Sequence, residues 1–112
     1  MGKKYITNTF SPSMVARGDF FGVQINLDQA RRLADGAESA ISHEISAPIV
    51  SALLQTVIPF NRVNLRLEPG DAVIAVIPKF RTTVAREFTF EEVSKAGWDV
   101  CYITITEPTC KE

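Results

Sequence analysis

The sequence predicts a single α+β domain over residues 1–112, with about five strands in one mixed sheet and about three flanking helices. Three observations carry this expectation. Residues 20–25 and 98–106 alternate apolar and other side chains with the period of a half-buried strand. Asn26 with Gln29, and Thr89 with Glu92, reproduce the reciprocal capping pattern that opens a helix. Between them, Ile49, Val50, Leu53, Leu54 and Val57 recur at helical spacing. With 46% hydrophobic and 22% charged residues, 112 residues bury a core without covalent staples.

Residues 3–9 open as a strand, and Ser11-Pro12-Ser13 is turn chemistry. Residues 20–25 form the second strand. The helix capped by Asn26 runs to about Ala34 and stops at Asp35-Gly36, glycine tolerating the left-handed conformation of a helix end. Pro48 constrains the next helix, because proline lacks an N–H and clashes with the preceding turn. Proline is tolerated in a first turn, so Ser46 is the expected N-cap of a helix over about residues 47–56. Its apolar positions, Val57 included, are expected to face the core, and His43 and Glu44 fall on the loop that enters it.

Residues 62–67 and 71–77 read as two strands joined at a tight Glu68-Pro69-Gly70 hairpin turn. Alternation then places Val63, Leu65 and Leu67 on one face, and Arg62, Asn64 and Arg66 on the other. Residues 78–87 show few packing side chains and read as a long mobile loop. Thr89-Phe90-Glu91-Glu92 opens a short helix closed at Ala96-Gly97. Residues 98–106 form the last strand, followed by a polar tail.

Composition excludes several classes. The net charge of −1 argues against a general nucleic-acid coat protein, and no duplex nucleic acid is expected as a partner. No apolar run approaches the roughly 20 residues that span a bilayer. The N-terminus enters a strand pattern at once, unlike a signal peptide, so a cytoplasmic protein is expected. Ile6 stands where N-myristoylation reads a hydroxyl residue. Cys101 and Cys110 fit neither a disulfide framework nor a zinc pattern, and Cys101 is expected as a reduced core residue. No cofactor is expected: chemistry here is metal-free, or confined to a carboxylate-bound Mg²⁺ for which no motif stands out.

His43 is the only histidine, and imidazole is the side chain whose ordinary proton equilibrium lies near neutrality. It precedes a helix start, where free backbone N–H groups favour an anion. Between Phe60 and Phe90 five basic residues face three acidic ones, a local net of +2. These features fit a small polyanion. A capping or surface histidine and a solvated basic face are the commoner origins of the same features.

In order and spacing, several segments resemble the small viral and prophage ring nucleases that act as type III anti-CRISPR factors. The segments are Tyr5-Ile6-Thr7-Asn8-Thr9-Phe10-Ser11, Ala40-Ile41-Ser42-His43-Glu44, Leu53-Leu54, Asn61-Arg62-Val63, Leu67-Glu68-Pro69-Gly70-Asp71, Arg81 and residues 89–93. The resemblance implies a homodimer that binds cyclic tetra-adenylate across its two-fold axis. It implies metal-independent cleavage to linear di-adenylates ending in a 2′,3′-cyclic phosphate. By that likeness His43 and Arg81 are the catalytic positions, and Asn8, Ser11, Arg62 and Ser46 the ligand-contacting ones. A loop aromatic such as Phe80 is able to cover an adenine. Two departures stand out: Val84, Ala85 and Arg86 replace Glu-Gly-Lys, and Ser42 replaces a glycine. Glu87 is the neighbouring candidate for the missing carboxylate. A sponge that binds a cyclic oligonucleotide without efficient cleavage is the alternative.

Overall fold

The computed structural model describes residues 2–84 and 86–108. The chain runs β1 (Lys4–Thr7), β2 (Asp19–Gln24), α1 (Leu27–Ala34), β3 (Glu38–Ser39), α2 (Ser46–Leu54), β4 (Ala72–Pro78), α3 (Phe90–Ser94) and β5 (Trp98–Thr106). One sheet takes the order β2-β5-β4-β1-β3. β5 pairs antiparallel with β2 and β4, whereas β1 pairs parallel with β4 and β3. The mixed five-stranded α+β sheet is therefore as the sequence predicts.

β4 is apolar along nearly its whole length because both of its faces are covered. Ile74 and Val76 join Ile6, Ile41, Val50, Leu53, Leu54 and Val93 in the main core under the helices. Val73 and Ala75 point the other way, to Leu67, Ile103 and Ile105, where Phe10, Met14 and Val15 close the layer. Burying one such Leu, Ile or Val side chain contributes roughly 1.5–3 kcal/mol, so α2, with six buried residues, is the most heavily anchored helix.

Both capping boxes form. Asn26 Oδ1 accepts from Gln29 N at 2.8 Å and Gln29 Oε1 from Asn26 N at 3.0 Å. Thr89 Oγ1 accepts from Glu92 N at 3.1 Å and Glu92 Oε1 from Thr89 N at 2.8 Å.

Several expectations are corrected. Ser46 is not an N-cap but the first residue of α2, and Ile45 precedes it in helical conformation with no side-chain cap. The Ser46 hydroxyl is engaged elsewhere, by Asn8. α2 ends at Leu54, not near residue 56, because Gln55 turns left-handed at φ 55° and Arg31 donates to the carbonyls of Leu53 and Leu54. Ser51 Oγ then bonds both N–H and C=O of Ile58, folding the chain back. The helical phase is broken before Val57, which is 86% exposed instead of buried.

Residues 62–67 form no strand, and the hairpin is absent. The Glu68-Pro69-Gly70 turn does close, with Asp71 N donating to Glu68 O at 2.9 Å and Gly70 at φ 97°. It delivers β4 between β1 and β5, which occupy both edges and leave no place for a hairpin partner. Of the three apolar residues expected on one face, only Leu67 is buried, through an isolated bridge to Val15, while Val63 is exposed.

The segment 78–87 carries more packing than the sequence suggests. Phe80 lies edge-on to Phe88 at 5.1 Å, both against the main core, and the Arg86 guanidinium stacks on Phe88 at 4.1 Å. Cys101 is free and half-buried, while Ala85, Cys110 and the polar tail from residue 109 lie outside the described residues. Among the described residues no helix is long and apolar enough to cross a membrane.

Leu53→Ala should cost about 2–5 kcal/mol in urea denaturation, whereas Val57→Ala should stay within about 0.5 kcal/mol; equal losses would contradict the position of the α2 end. A second expectation concerns acid. The Arg86 side chain, with the Thr89 N–H, holds the Glu92 carboxyl below its ordinary 4.5. Its folded value is depressed, so the stabilisation is present above the unfolded value and is lost as pH falls through the folded one. Glu92→Gln should therefore be less stable than the parent at pH 7 and indistinguishable from it near pH 2, measured by thermal melts.

Candidate functional site

Because β1, β3 and β4 are parallel, the loops that leave them emerge on one side of the sheet. In open sheets of parallel strands that carboxyl-end rim is where ligands bind. Asn8 follows β1, Ser42 and His43 follow β3, and Phe80 and Arg81 follow β4. The N-terminus of α2 reaches the same rim, since Asn8 Nδ2 donates to Ser46 Oγ at 3.1 Å.

Asn8, Ser46, Ile49, Ile77, Phe80 and Arg81 line a cleft of about 210 Å³. The lining combines apolar Ile49, Ile77 and Phe80 with a guanidinium, an amide and a hydroxyl. Accepting from Asn8 leaves the Ser46 hydroxyl its own proton to donate. Asn8 Oδ1 is buried without a hydrogen-bond partner among the described residues. Ile45 at the α2 cap supplies no side-chain acceptor. Ser46 N donates to His43 O at 3.1 Å and Pro48 has no N–H, so of the first three helical residues only Ala47 keeps an N–H at the positive end of the helix.

His43 enters this helix start on an exposed loop. The Ser42 carbonyl accepts from Arg62 Nε at 3.4 Å and Nη2 at 3.3 Å, and the His43 carbonyl from Ser46 N at 3.1 Å. The imidazole is not packed in the interior. It lines neither the Arg81 cleft nor the neighbouring pocket of about 150 Å³ that includes Thr7, Thr9, Ser13, Ser42 and Asn64.

The structure thus gathers Asn8, Ser46 and Arg81 in one cleft and holds Arg62 against the His43 loop. Ser11 stands apart: it caps the 3₁₀ turn Pro12–Met14, accepting from Ser13 N at 3.3 Å. Phe80 lines the cleft, half-buried, with its ring edge-on to Phe88. Glu87 lies with Phe88 and Phe90 on a different groove beside α2, not on the Arg81 cleft, and Val84 is exposed. No group of three or more His, Cys, Asp or Glu suited to a metal occurs among the described residues.

Sequence reasoning missed Ser39 and the side-chain role of Asn61, whose Nδ2 donates to Ser39 O at 2.7 Å. No local pattern marks contacts 22 residues apart.

Residues 4–100 match the family model described as STIV B116-like. The chain belongs to the STIV B116-like family. Its relatives place it in a viral family: it is 30% identical over 105 residues to ORF117 of Acidianus two-tailed virus, covering 88% of this chain and 90% of that one. It is 28% identical over 95 residues to ORF116 of Acidianus filamentous virus 1 (isolate United States/Yellowstone), covering 81% and 82%. In structure it resembles B116 of Sulfolobus turreted icosahedral virus, with a TM-score of 0.77 at 20% identity over 92% of this chain and 99% of that one. At that identity the likeness shows the shared fold.

In this B116-like chain the Asn8–Ser46 bond ties β1 to α2. Asn8→Ala and Ser46→Ala should each destabilise by about 0.5–1.5 kcal/mol. The double variant should lose little more than either single one, giving a coupling energy of similar size in a double-mutant cycle; strict additivity would refute the bond.

Proposed function

We propose that this protein is a metal-independent ring nuclease that cleaves cyclic tetra-adenylate as a homodimer and so counters type III CRISPR signalling. The observation that carries the reading is the convergence of Arg81, Ser46 and Asn8 on one cleft beside the uncapped start of α2, with His43 on the loop entering that helix. Such a rim suits a phosphodiester: the Arg81 guanidinium and the Ala47 N–H meet charge, and an imidazole supplies a proton.

Cleavage of an RNA linkage needs no protein nucleophile. The ribose 2′-oxygen attacks phosphorus and passes its proton to water, and the P–O5′ bond breaks. The departing 5′-oxygen takes a proton from His43, leaving a 2′,3′-cyclic phosphate. Holding 2′-O, phosphorus and 5′-O in line supplies a large part of the acceleration. The planar Arg81 guanidinium matches the phosphorane charge better than a lysine would. General acid catalysis adds roughly 10²–10⁴-fold. Two-fold symmetry gives one histidine to each of two opposite linkages.

β2 supports the homodimer. It is an edge strand whose Phe20, Phe21 and Val23 are 41%, 60% and 57% exposed. It carries no lysine, proline or bulge of the kind that protects solitary edges. Ile25 N donates to Val100 O across the β2–β5 ladder, so by alternation Phe20, Gly22 and Gln24 direct their backbone groups outward. A two-fold axis at Gly22 then sets Phe21 opposite the partner's Val23 as a close apolar pair.

A second reading rests on the loop after β4. Val84 stands where ring nucleases carry glutamate, and Glu87 faces another groove; both favour a sponge that binds the ring and cuts it poorly.

Radiolabelled cyclic tetra-adenylate under single-turnover conditions in excess EDTA tests both. The parent should yield linear di-adenylate, and His43→Ala should cleave at least about 100-fold more slowly while still retaining the ring on a filter. Retention of an intact ring by the parent would favour the sponge, and no retention would refute both readings. Phe21→Lys should sediment as a monomer and lose cleavage together with dimerisation.

A further inference from the structure

β3 is only two residues long, and its ladder with β1 ends where Ala40 N donates to Ile6 O at 2.8 Å. Beyond that point the chain has no strand neighbour, yet its carbonyls are not left to water. Asn61 Nδ2 donates to Ser39 O at 2.7 Å and Asn61 N to Ile41 O at 2.9 Å. Arg62 forks onto Ser42 O at 3.4 and 3.3 Å. Ser39 Oγ donates to Pro59 O at 2.5 Å and accepts from Ile41 N at 3.3 Å. An isolated parallel bridge joins Ile41 to Phe60 in the middle of this network.

We infer that residues 59–62 are a strap that positions His43, with Asn61 as its principal positioning residue. The backbone has two soft dihedrals per residue, and the peptide planes on either side of a Cα fix them. For His43 those planes carry the carbonyls of Ser42 and His43. The strap holds the first through Arg62, and Ser46 N holds the second at 3.1 Å. With both planes held, the direction in which the imidazole leaves the chain is set. The imidazole itself makes no side-chain hydrogen bond among the described residues, so the backbone does this work. Arg62, in the free protein, serves the His43 loop.

Asn61 is the residue on which the strap turns, because it donates from both backbone and side chain to carbonyls on either side of Ala40. Aspartate at 61 has the same size but presents a carboxylate to the Ser39 carbonyl and cannot donate there. Alanine removes the bond alone.

The consequence for catalysis rests on the ring-nuclease reading; the positioning itself does not, and the test separates them. Selective ¹⁵N-histidine labelling gives one amide signal, since the chain has one histidine. In the parent its order parameter should be that of rigid backbone, about 0.85, and in Asn61→Ala and Asn61→Asp it should fall below about 0.6. Single-turnover cleavage of cyclic tetra-adenylate should slow by about 10–100-fold in the same variants, with the ring concentration for half-saturation unchanged. Arg62→Lys, which keeps a donor, should lie between the parent and Arg62→Ala. Should Asn61→Ala not fold, Arg62→Ala provides the order-parameter readout alone, from an exposed position. An order parameter unmoved in the folded Asn61 and Arg62 variants overturns the strap, even if the parent cleaves the ring. A lowered order parameter in a protein whose parent cleaves no ring upholds the strap and overturns the ring-nuclease reading.

Discussion

The parallel pairing of β1 with both β3 and β4 is the constraint on which the candidate site depends. It sends three strand ends to one rim of the sheet, so that Asn8, Ser42 and Arg81 emerge together although the sequence separates them widely. Parallel pairing needs long crossovers, and the two that serve β1 carry α1 and α2 across the same face. α2 is thereby placed with its buried length against the sheet and its N-terminus at the rim. An antiparallel β1 would leave the same side chains at opposite ends of the domain.

A second constraint follows from the first. β4 has neighbours at both edges and side chains buried on both faces, which is why it reads as an unbroken apolar run. With no vacant edge, the preceding residues 59–67 find other partners. Part of this segment covers the smaller core through Leu67 and Val15, and part straps the loop that leaves β3. The failed hairpin and the support of His43 thus have one origin: a segment excluded from the sheet satisfies the backbone groups of another segment that the sheet has released.

The elements most legible in the sequence are those whose cause is local. The two capping boxes formed as written, because both partners lie within three residues. β5 followed from alternation, and α2 from its periodic apolar residues and the position of Pro48. β2 formed where a strand was expected, but with five of its six residues exposed instead of half-buried in alternation. The errors fall where a distant partner decides. Ser46 has the chemistry of a cap, but Asn8, 38 residues away, engages its hydroxyl. Val57 continues the helical period, but Arg31 and Ser51 end the helix before it. Phe80 and Arg86 sit in a stretch that looks unpacked until Phe88 and Glu92 are brought beside them.

By itself, then, the sequence determined the fold class, the helix starts with reciprocal caps and the identity of the candidate side chains, above all the one histidine. Those depend on residue type and on spacings of two to four, over which the backbone fixes geometry directly. The tertiary structure alone decided which strands are neighbours, that residues 62–67 stay outside the sheet, and which candidates meet. Arg81 joined Ser46 and Asn8, Arg62 joined the His43 loop, and Ser11 joined neither. The physical reason is that strand order and segment exclusion come from competition for sheet edges and core volume across the whole chain, which no local pattern records.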